Sequence, residues 1–290
     1  MKYIRFNDNG QIQAALLNEE NELFRIEEKE YVAFYYALKN SGLSVQDYIE
    51  REGITGEAVD FASLQLVLPI QAEEVWASGV TYQKSKEARN YEATVGKEHI
   101  EETFYDKVYD AERPEIFFKS TSRRLIGPAG ALHIRSDSNW QIPEPELTLI
   151  VGEGTEIIGY TLGNDMSCRD IEGENPLYLP QAKIWKNSCS IGPAILLPES
   201  VEDPYALDIT CRIFRDGEQV FEGSAYVNQL KRKLDELVHY LVLDNDIAPG
   251  TALMTGTCIV PPNDFTLQQG DLIEISSASI GALKNPILNS

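Results

Sequence analysis

Residues 140–152 read WQIPEPELTLIVG and combine two carboxylates with a continuous apolar strand. Side chains two residues apart in a strand point to the same face, so we expect Glu144 and Glu146 to project together. Pro143 and Pro145 cannot donate a hydrogen bond to a neighbouring strand, which predicts an edge or a bulge at this part of the strand. The segment therefore predicts two carboxylates held side by side.

A bound cation would explain why the chain holds two carboxylates together. Neighbouring carboxylates raise each other's pKa unless a cation lies between them. Mg²⁺ prefers oxygen ligands at about 2.1 Å and retains some of its waters. Asp165, in GYTLGNDMS (159–167) just after the next strand, is the candidate for a third ligand. The alternative is a solvated acidic edge, which an arbitrary Glu-x-Glu favours; here Trp140, the apolar strand and the Gly-Asn-Asp turn favour the metal site.

The charge of the chain argues against several classes of partner. The 290 residues include 25 basic and 46 acidic side chains, and the resulting net charge of −21 would repel a phosphate backbone. No segment approaches the roughly 20 apolar residues of a membrane helix, and MKYIRFNDNG (1–10) lacks the apolar core of a signal peptide. We therefore expect no nucleic-acid or membrane partner and a cytoplasmic location. The four cysteines form no C-x-x-C pair, which predicts reduced packing residues.

The order of strands and helices predicts two regions. Residues 1–70 predict a small N-terminal α/β module, with strands KYIRF and IQAAL and a helix that ends at Gly42. Residues 71–290 contain many strands, a hairpin around Asp216-Gly217 and an amphipathic helix over 228–245. The absence of regular helical crossovers predicts an α+β, β-rich catalytic domain rather than a doubly wound sheet. The polar stretch 82–112 predicts helix, either on the solvated surface or as a lid over a site.

Several motifs occur in a specific order along residues 73–286. They are PEPEL (143–147), GYTLGNDMSCRD (159–170), QAKIWKNSCSIGP (181–193), TGT (255–257) and GDLIEI (270–275). This combination resembles the fumarylacetoacetate hydrolase superfamily. The resemblance implies a mixed β-roll catalytic domain, a homodimer or homotetramer, and Mg²⁺ bound by Glu144, Glu146 and Asp165, with Mn²⁺ or Ca²⁺ as possible substitutes.

The sequence departs from the hydrolase members of that superfamily in two places. Hydrolases typically carry N-Y-x-x-H-x-x-E, whose His and Glu activate water, but the corresponding stretch here is TYQKSKEA (81–88). Ser85 stands in the place of the His and Ala88 in the place of the Glu, so the usual general base for water attack is missing. His99 lies further along at a spacing that does not match. In addition, the usual R-x-x-Q is Arg169-x-x-Glu172 here.

Two further stretches resemble one branch of the superfamily. These are RDIEGENPLYLPQAK (169–183) and YDAERPEIFFKSTSRR (109–124), and the branch contains dehydratases of 2-keto-3-deoxy-pentonates of the arabinonate or xylonate type. The resemblance implies a hydro-lyase of sugar-acid catabolism that forms 2,5-dioxopentanoate. A 2-keto acid can chelate Mg²⁺, which stabilises the enolate formed at C3 while the C4 hydroxyl leaves as water. This chemistry needs no nucleophilic water.

The reaction needs proton transfer near C3 and C4, and polar side chains in the same motifs are candidates for it. We expect Lys183 to transfer a proton with a pKa lowered by partial desolvation near a metal, although it could simply bind the substrate carboxylate. Glu115 is the second acid–base candidate, with a surface carboxylate as its alternative. Candidate substrate contacts are Arg113, Lys119, Ser85 and Thr257. Their alternatives are a structural ion pair for Arg113, a strand-end lysine reaching water for Lys119 and a buried structural hydroxyl for Thr257.

Two competing functions stay open at this point. One is a carbon–carbon bond hydrolase or a decarboxylase acting on another 2-keto acid, such as an acylpyruvate or oxaloacetate, because the same metal–enolate chemistry serves these reactions. The other is a non-catalytic protein that binds a metal or a ligand. The presence of Lys183 near the acidic residues argues against the second.

Overall fold

The computed structural model of the protein describes residues 1–94 and 104–289. The strands are β1 (Lys2–Asp8), β2 (Gln11–Leu17), β3 (Glu22–Ile26), β4 (Glu57–Ala58), β5 (Glu74–Gly79), β6 (Glu115–Thr121), β7 (Leu125–Ile126), β8 (Leu132–Ile134), β9 (Gln141–Ile142), β10 (Pro145–Val151), β11 (Ile157–Asp165), β12 (Ser167–Cys168), β13 (Cys189–Leu196), β14 (Asp208–Arg215), β15 (Glu218–Tyr226), β16 (Thr251–Met254), β17 (Leu272–Ser277) and β18 (Gly281–Asn289). The helices are α1 (Tyr31–Ser41), α2 (Val45–Arg51), α3 (Gln83–Thr94), α4 (Phe104–Asp110), α5 (Arg169–Glu174), α6 (Leu179–Lys183) and α7 (Leu234–Val242). Mixed sheets with separate helices confirm the predicted α+β, β-rich class.

The larger sheet runs in the order β4-β3-β2-β1-β13-β11-β10-β16-β5-β6, with β7 beside β13. Strand β10 lies inside it, antiparallel to β11 on one side and to β16 on the other. The predicted edge at the prolines is confirmed for that part of the strand: pairing with β16 begins only at Thr148, so Pro145 pairs with β11 alone and no ladder bond is lost there. The rest of β10 lies inside the sheet.

The N-terminal residues extend this same sheet. Strand β1 pairs antiparallel with β13, and Lys2 lies opposite Leu196. Helix α1 ends at Gly42, whose φ of 69° suits a residue without a side chain, and Ser44 caps α2 by accepting a hydrogen bond from the backbone N–H of Asp47. Both helices pack on one face of the sheet. The division of the chain at residues 70 and 71 stays a prediction.

The second sheet runs in the order β15-β14-β17-β18-β8. The predicted hairpin is confirmed, because Arg215 pairs with Glu218 around Asp216 and Gly217, both with positive φ. The predicted helix over 228–245 is shorter than expected, since α7 begins only at Leu234. The reason is tertiary: the backbone N–H of Lys231 donates to the carbonyl of Thr81 at 3.0 Å and holds the chain out of the helix.

The main core lies between β10, the second sheet and α7. Leu147 and Leu149 point from β10 into this core, where Leu237 and Ile275 are also fully buried. Since side chains alternate along a strand, Glu146 lies on the opposite face of β10. Among the described residues, no helix is long and apolar enough to cross a membrane.

Candidate metal centre

Three carboxylates meet where β10 begins and β11 ends; we call Glu144, Glu146 and Asp165 the acidic cluster. Each offers an oxygen, and these oxygens lie within 4.8 Å of one another. The relative exposure of the three residues is only 8%, 1% and 1%, respectively. Glu144 immediately precedes β10, and Asp165 is the last residue of β11 rather than part of the turn after it. The structure thus brings together the three residues predicted as metal ligands.

Local hydrogen bonds align the two ends that carry the acidic cluster. The backbone N–H of Asp165 donates to the carbonyl of Glu144 at 3.0 Å. The backbone N–H of Glu144 donates to the side-chain oxygen of Asn164 at 3.1 Å. These bonds extend the β10–β11 pairing past Pro145 and fix Glu144 opposite Asp165. Sequence reasoning missed this role of Asn164, although it lies in the GND stretch that contains Asp165.

Glu146 is held by a glycine that the sequence prediction did not single out. The backbone N–H of Gly256 donates to the carboxylate of Glu146. Gly256 has a φ of +96°, and a Cβ there would lie 1.9 Å from the hydroxyl oxygen of Thr81. A side chain at this position would therefore both strain the backbone and collide with Thr81. The TGT motif (255–257) was the sequence signal that could have identified it.

Two buried ammonium groups face the acidic cluster. Lys183, at the end of α6, and Lys119, on β6, both have 0% exposure. The Nζ atom of Lys183 contacts Glu144 and lies 3.0 Å from Asp165. The Nζ atom of Lys119 lies 2.7 Å from Asp165 and donates to the carbonyl of Met166 at 2.9 Å. The structure therefore places both predicted lysines at the cluster, and Lys119 does not reach out to water.

The pKa values of these groups follow from burial and mutual charge. Burial, followed by the charges of Asp165 and Glu144, raises the pKa of Glu146 well above its usual value. Burial would also raise the pKa of Asp165, but the ammonium groups of Lys119 and Lys183 lower it overall. Without a cation, burial lowers the pKa of Lys183, but the charges of Asp165 and Glu144 raise it more. The lowered pKa expected beside a bound metal stays a prediction.

Strand β6 also carries Glu115 and Phe117. The Phe117 ring centre lies 5.7 Å from Nζ of Lys183. Glu115 lies across Gly79, where a Cβ would approach its Oε2 atom to 2.1 Å. This oxygen is buried and has no hydrogen-bond partner among the residues the structure describes. The acid–base role of Glu115 stays a prediction, and this unpartnered oxygen is compatible with it.

The hydroxyls of Thr257 and Ser85 are engaged with backbone groups. Thr257 donates to the carbonyl of Pro145 at 2.9 Å and so ties the TGT loop to the start of β10. Ser85 donates to the carbonyl of Tyr82 at 2.8 Å and accepts from its N–H at 3.2 Å, in the first turn of α3. These contacts favour the structural alternative for Thr257. Substrate contact stays a prediction for both residues.

Arg113 lies elsewhere. Its guanidinium carbon is 5.1 Å from the ring centre of Tyr240 on α7, in a surface groove that Trp76 and Leu243 also line. Within residues 1–94 and 104–289, the ion pairs and hydrogen bonds recorded for the acidic cluster do not include it. Its role in substrate binding stays a prediction. His99, the histidine that could replace the missing base, lies outside the described residues.

The donor set fits a hard divalent cation. Three buried carboxylates face two ammonium groups, so the negative charge exceeds the positive charge. Lys119 and Lys183 contact Glu144 and Asp165, whereas Glu146 receives a backbone N–H and has a raised pKa. Oxygen ligands in this number and charge are those that Mg²⁺ prefers. The residues present therefore suit a divalent ion coordinated by the acidic cluster.

Comparison with known proteins agrees with this geometry. Residues 84–288 match the family model described as fumarylacetoacetate (FAA) hydrolase C-terminal. The chain is 42% identical to the 2-dehydro-3-deoxy-D-arabinonate dehydratase of Saccharolobus solfataricus. The alignment covers 92% of this chain and 96% of that protein. The chain is 45% identical to the protein named probable 2-keto-3-deoxyxylonate dehydratase of Haloferax volcanii, covering 78% of this chain and 76% of that protein.

A solved structure adds a comparison of the whole fold. It is a 2-keto-3-deoxy-D-arabinonate dehydratase complexed with magnesium and 2,5-dioxopentanoate. The two chains are 36% identical and superpose with a TM-score of 0.82 over 100% of this chain and 99% of that one. Because the family model matches more than half of the chain and these relatives cover most of it, the chain belongs to the fumarylacetoacetate hydrolase family.

Proposed function

We propose that this protein is a magnesium-dependent hydro-lyase that converts a 2-keto-3-deoxy-pentonate, of the D-arabinonate or D-xylonate type, into 2,5-dioxopentanoate. The observation that carries the proposal is the acidic cluster, whose oxygens lie within 4.8 Å of one another beside the buried amine of Lys183. The similarity to a dehydratase that binds magnesium and 2,5-dioxopentanoate supports the choice of substrate.

The side chains of the site divide the reaction between them. Glu144, Glu146 and Asp165 hold Mg²⁺, which when bound withdraws electrons from the ketone and carboxylate of the 2-keto acid. Lys119 keeps Asp165 ionised and oriented through their ion pair at 2.7 Å. Phe117 and the buried strands around the site exclude water, which strengthens each of these charge interactions.

Two groups handle the protons. Lys183 accepts the C3 proton as a neutral amine. Burial lowers its pKa, but the charges of Asp165 and Glu144 raise it more, so the amine becomes neutral only when those charges are offset. Glu115 acts as the general acid: its carboxyl group, one oxygen of which is unpartnered, donates a proton to the hydroxyl that leaves from C4. Loss of the C3 proton and the C4 hydroxyl removes one water. A proton shift from C5 to C3 then gives an enol between C4 and C5. Loss of the C5 hydroxyl proton and protonation of C4 complete the terminal aldehyde.

The competing hydrolase function has weaker support in this chain. A hydrolase needs a base that activates water, and Ser85 stands where the family carries a histidine. The Ser85 hydroxyl donates to the carbonyl of Tyr82 and accepts from its N–H, and a serine hydroxyl is not the general base that water attack needs. Decarboxylation of oxaloacetate needs no such base, and it is the alternative that the assay below must exclude.

The test is product formation from defined substrates. Purified protein with Mg²⁺ is incubated separately with 2-keto-3-deoxy-D-arabinonate, 2-keto-3-deoxy-D-xylonate, an acylpyruvate and oxaloacetate. The proposal predicts an aldehyde product, trapped by an aldehyde reagent, from at least one deoxy-pentonate. Cleavage of acylpyruvate or decarboxylation of oxaloacetate without any aldehyde from either deoxy-pentonate would show that the proposed reaction is wrong.

Assembly and location complete the proposal. We propose a homodimer or homotetramer, in keeping with the resemblance to the superfamily, and light scattering of the purified protein checks it against a mass of 32.5 kDa per chain. A single-chain mass would contradict it. The cytoplasmic location stays a prediction from the sequence.

A further inference from the structure

The buried face of helix α3 is polar, in contrast to that of α7. Ser85 and Arg89 are buried one turn apart, and Tyr82 precedes them on the same side. In α7, by contrast, the inner face consists of four buried apolar residues, namely Leu234, Leu237, Val238 and Leu241. Helix α3 is therefore attached through polar contacts on this face rather than through an apolar stripe.

The central polar contact is a buried ion pair. Arg89 and Glu172 have relative exposures of 4% and 1%, and the Nη1 atom of Arg89 contacts the Oε1 atom of Glu172. The other carboxylate oxygen of Glu172 accepts a hydrogen bond from the Ser167 hydroxyl at 2.8 Å. Ser167 lies two residues after Asp165 in the sequence. A continuous set of contacts thus connects α3 with the segment that carries a predicted metal ligand.

Contacts at two places connect the α3 region with the surroundings of the acidic cluster. Just before the helix starts, the hydroxyl of Thr81 donates to the carbonyl of Thr255 at 2.7 Å, next to the Gly256 that binds Glu146. Arg89 follows Gln83, the first residue of α3, by six residues, about 9 Å along the helix. The contact of Thr81 therefore lies on the Glu146 side of the cluster, and that of Arg89 leads to the Asp165 side.

The ends of the segment that contains α3 and α4 are anchored at one place. The backbone N–H of Lys231 donates to Thr81, and its Nζ donates to the carbonyl of Tyr109. Arg232 donates to the carbonyls of Val108, Ala111 and Glu112. Between these anchored ends, the Arg89–Glu172 pair attaches α3 to α5.

We propose that Arg89 is a positioning residue that, through its buried ion pair with Glu172, holds α3 closed over the acidic cluster and aligns the Asp165 segment. The idea rests on the proposed function, because it assigns α3 as the lid of that site. It also accounts for Arg169-x-x-Glu172 in place of R-x-x-Q. A buried guanidinium is stabilised by a paired anion, and Glu172 supplies one to Arg89 where a glutamine would not.

The experiment combines amide hydrogen exchange with steady-state kinetics on four variants of the full-length protein. Arg89→Met removes the charge at similar volume, Glu172→Gln removes the partner charge, and the double variant removes both. Glu87→Gln is the matched control, because Glu87 is exposed on the same helix and pairs only with Gln83 among the hydrogen bonds recorded for it. Exchange is followed for peptides covering 83–94 and, as an internal reference, 145–165, with Mg²⁺ present.

Each single variant should raise the exchange rate of the α3 amides by about tenfold, since breaking a buried ion pair exposes the helix to local opening. Exchange in 145–165 should stay at the wild-type rate. The value of kcat on the deoxy-pentonate should fall by about tenfold with KM changed less than about threefold, because Arg89 acts on the site through Glu172. The double variant should lie closer to wild type than either single variant, since no charge is left unpaired.

Three results would overturn the proposal. The first is wild-type exchange in α3 for both single variants. The second is a double variant whose effect equals the sum of the single effects. The third is a loss of protection that spreads through 145–165 in all three variants, which would make the pair a general element of the fold. If wild-type protein forms no aldehyde, the proposed function fails, but the exchange data still decide whether the pair holds α3 closed.

Discussion

Two groups of charged side chains in this protein differ in how completely their charges are balanced. Arg215, at the end of β14, donates to both oxygens of Asp271 at 2.8 Å each, one guanidinium against one carboxylate. In the acidic cluster, three carboxylates face the ammonium groups of Lys119 and Lys183. Asp271 is buried beside a partly exposed Arg215, and only this pair is neutral.

The difference indicates which cluster is structural and which one is a site. In a neutral, bidentate pair the two groups satisfy each other's hydrogen bonds, and no further ion is needed to balance the charge. A cluster with surplus negative charge raises the pKa of one member, here Glu146, and favours the entry of a cation or a proton. Carboxylates with pKa values perturbed in this way are concentrated at functional sites.

Lys183→Ala should give the largest effect. We expect kcat to fall by roughly 10³-fold, within the range for losing a general acid or base. Binding of Mg²⁺, measured by titration calorimetry, should be no weaker than in wild type, because the ammonium that contacts Glu144 and Asp165 is gone. Lys39→Ala, at an exposed lysine paired with Glu156, is the control. Unchanged turnover would exclude a catalytic role for Lys183 and would revive the non-catalytic alternative.

Glu146→Gln should weaken Mg²⁺ binding by about a hundredfold, since removing even an outer contact of a metal site costs 10- to 100-fold. Asp271→Asn, which changes a carboxylate of the balanced pair, should leave the affinity of the folded protein unchanged. Titration calorimetry on both variants measures the difference. Equal losses of affinity would contradict the assignment of Glu146 as a ligand.

The same two variants should differ in stability after treatment with a chelator. Asp271→Asn should lower the free energy of unfolding by about 2–3 kcal/mol, somewhat less than for a fully buried pair because Arg215 is partly exposed. Glu146→Gln should leave it unchanged or raise it, because the substitution removes surplus buried charge. Urea unfolding with EDTA present measures both values. A similar loss in both variants would remove the distinction between the two clusters.

The effect of Mg²⁺ on stability should grow with pH. Because the folded pKa of Glu146 is raised above its ordinary 4.5, folded protein retains a proton that unfolded chain releases. The stability from that proton is present below pH 4.5 and is lost as pH rises through the folded pKa, by at most about 1.4 kcal/mol per pH unit. Mg²⁺ replaces the proton, so the Tm difference between MgCl₂ and EDTA samples should widen as pH rises. A difference independent of pH would count against this titration.

The sequence predicted the acidic cluster because its geometry is local. Glu144 and Glu146 share a face through the two-residue repeat of a strand, and Asp165 lies at the end of the strand that pairs with it. The motifs of the resemblance placed Lys183 and Lys119 near these carboxylates, and the structure agrees. The α+β class followed from the series of short strands for the same reason.

What the sequence did not predict concerns contacts between residues far apart in the chain. The interior place of most of β10 depends on β16, which follows it by about 100 residues, and no local pattern predicts that pairing. The late start of α7 depends on the hydrogen bond from Lys231 to Thr81. The ion pair of Arg89 and Glu172 joins helices α3 and α5, and no local pattern predicts it.

The central claim is that the acidic cluster works by holding a divalent cation. The most direct test compares aldehyde formation from 2-keto-3-deoxy-D-arabinonate by chelator-treated protein and by the same protein after Mg²⁺ is restored. We predict that treated protein is inactive and that Mg²⁺ restores turnover in wild type but not in Glu146→Gln. Full activity after complete removal of metal would contradict the claim.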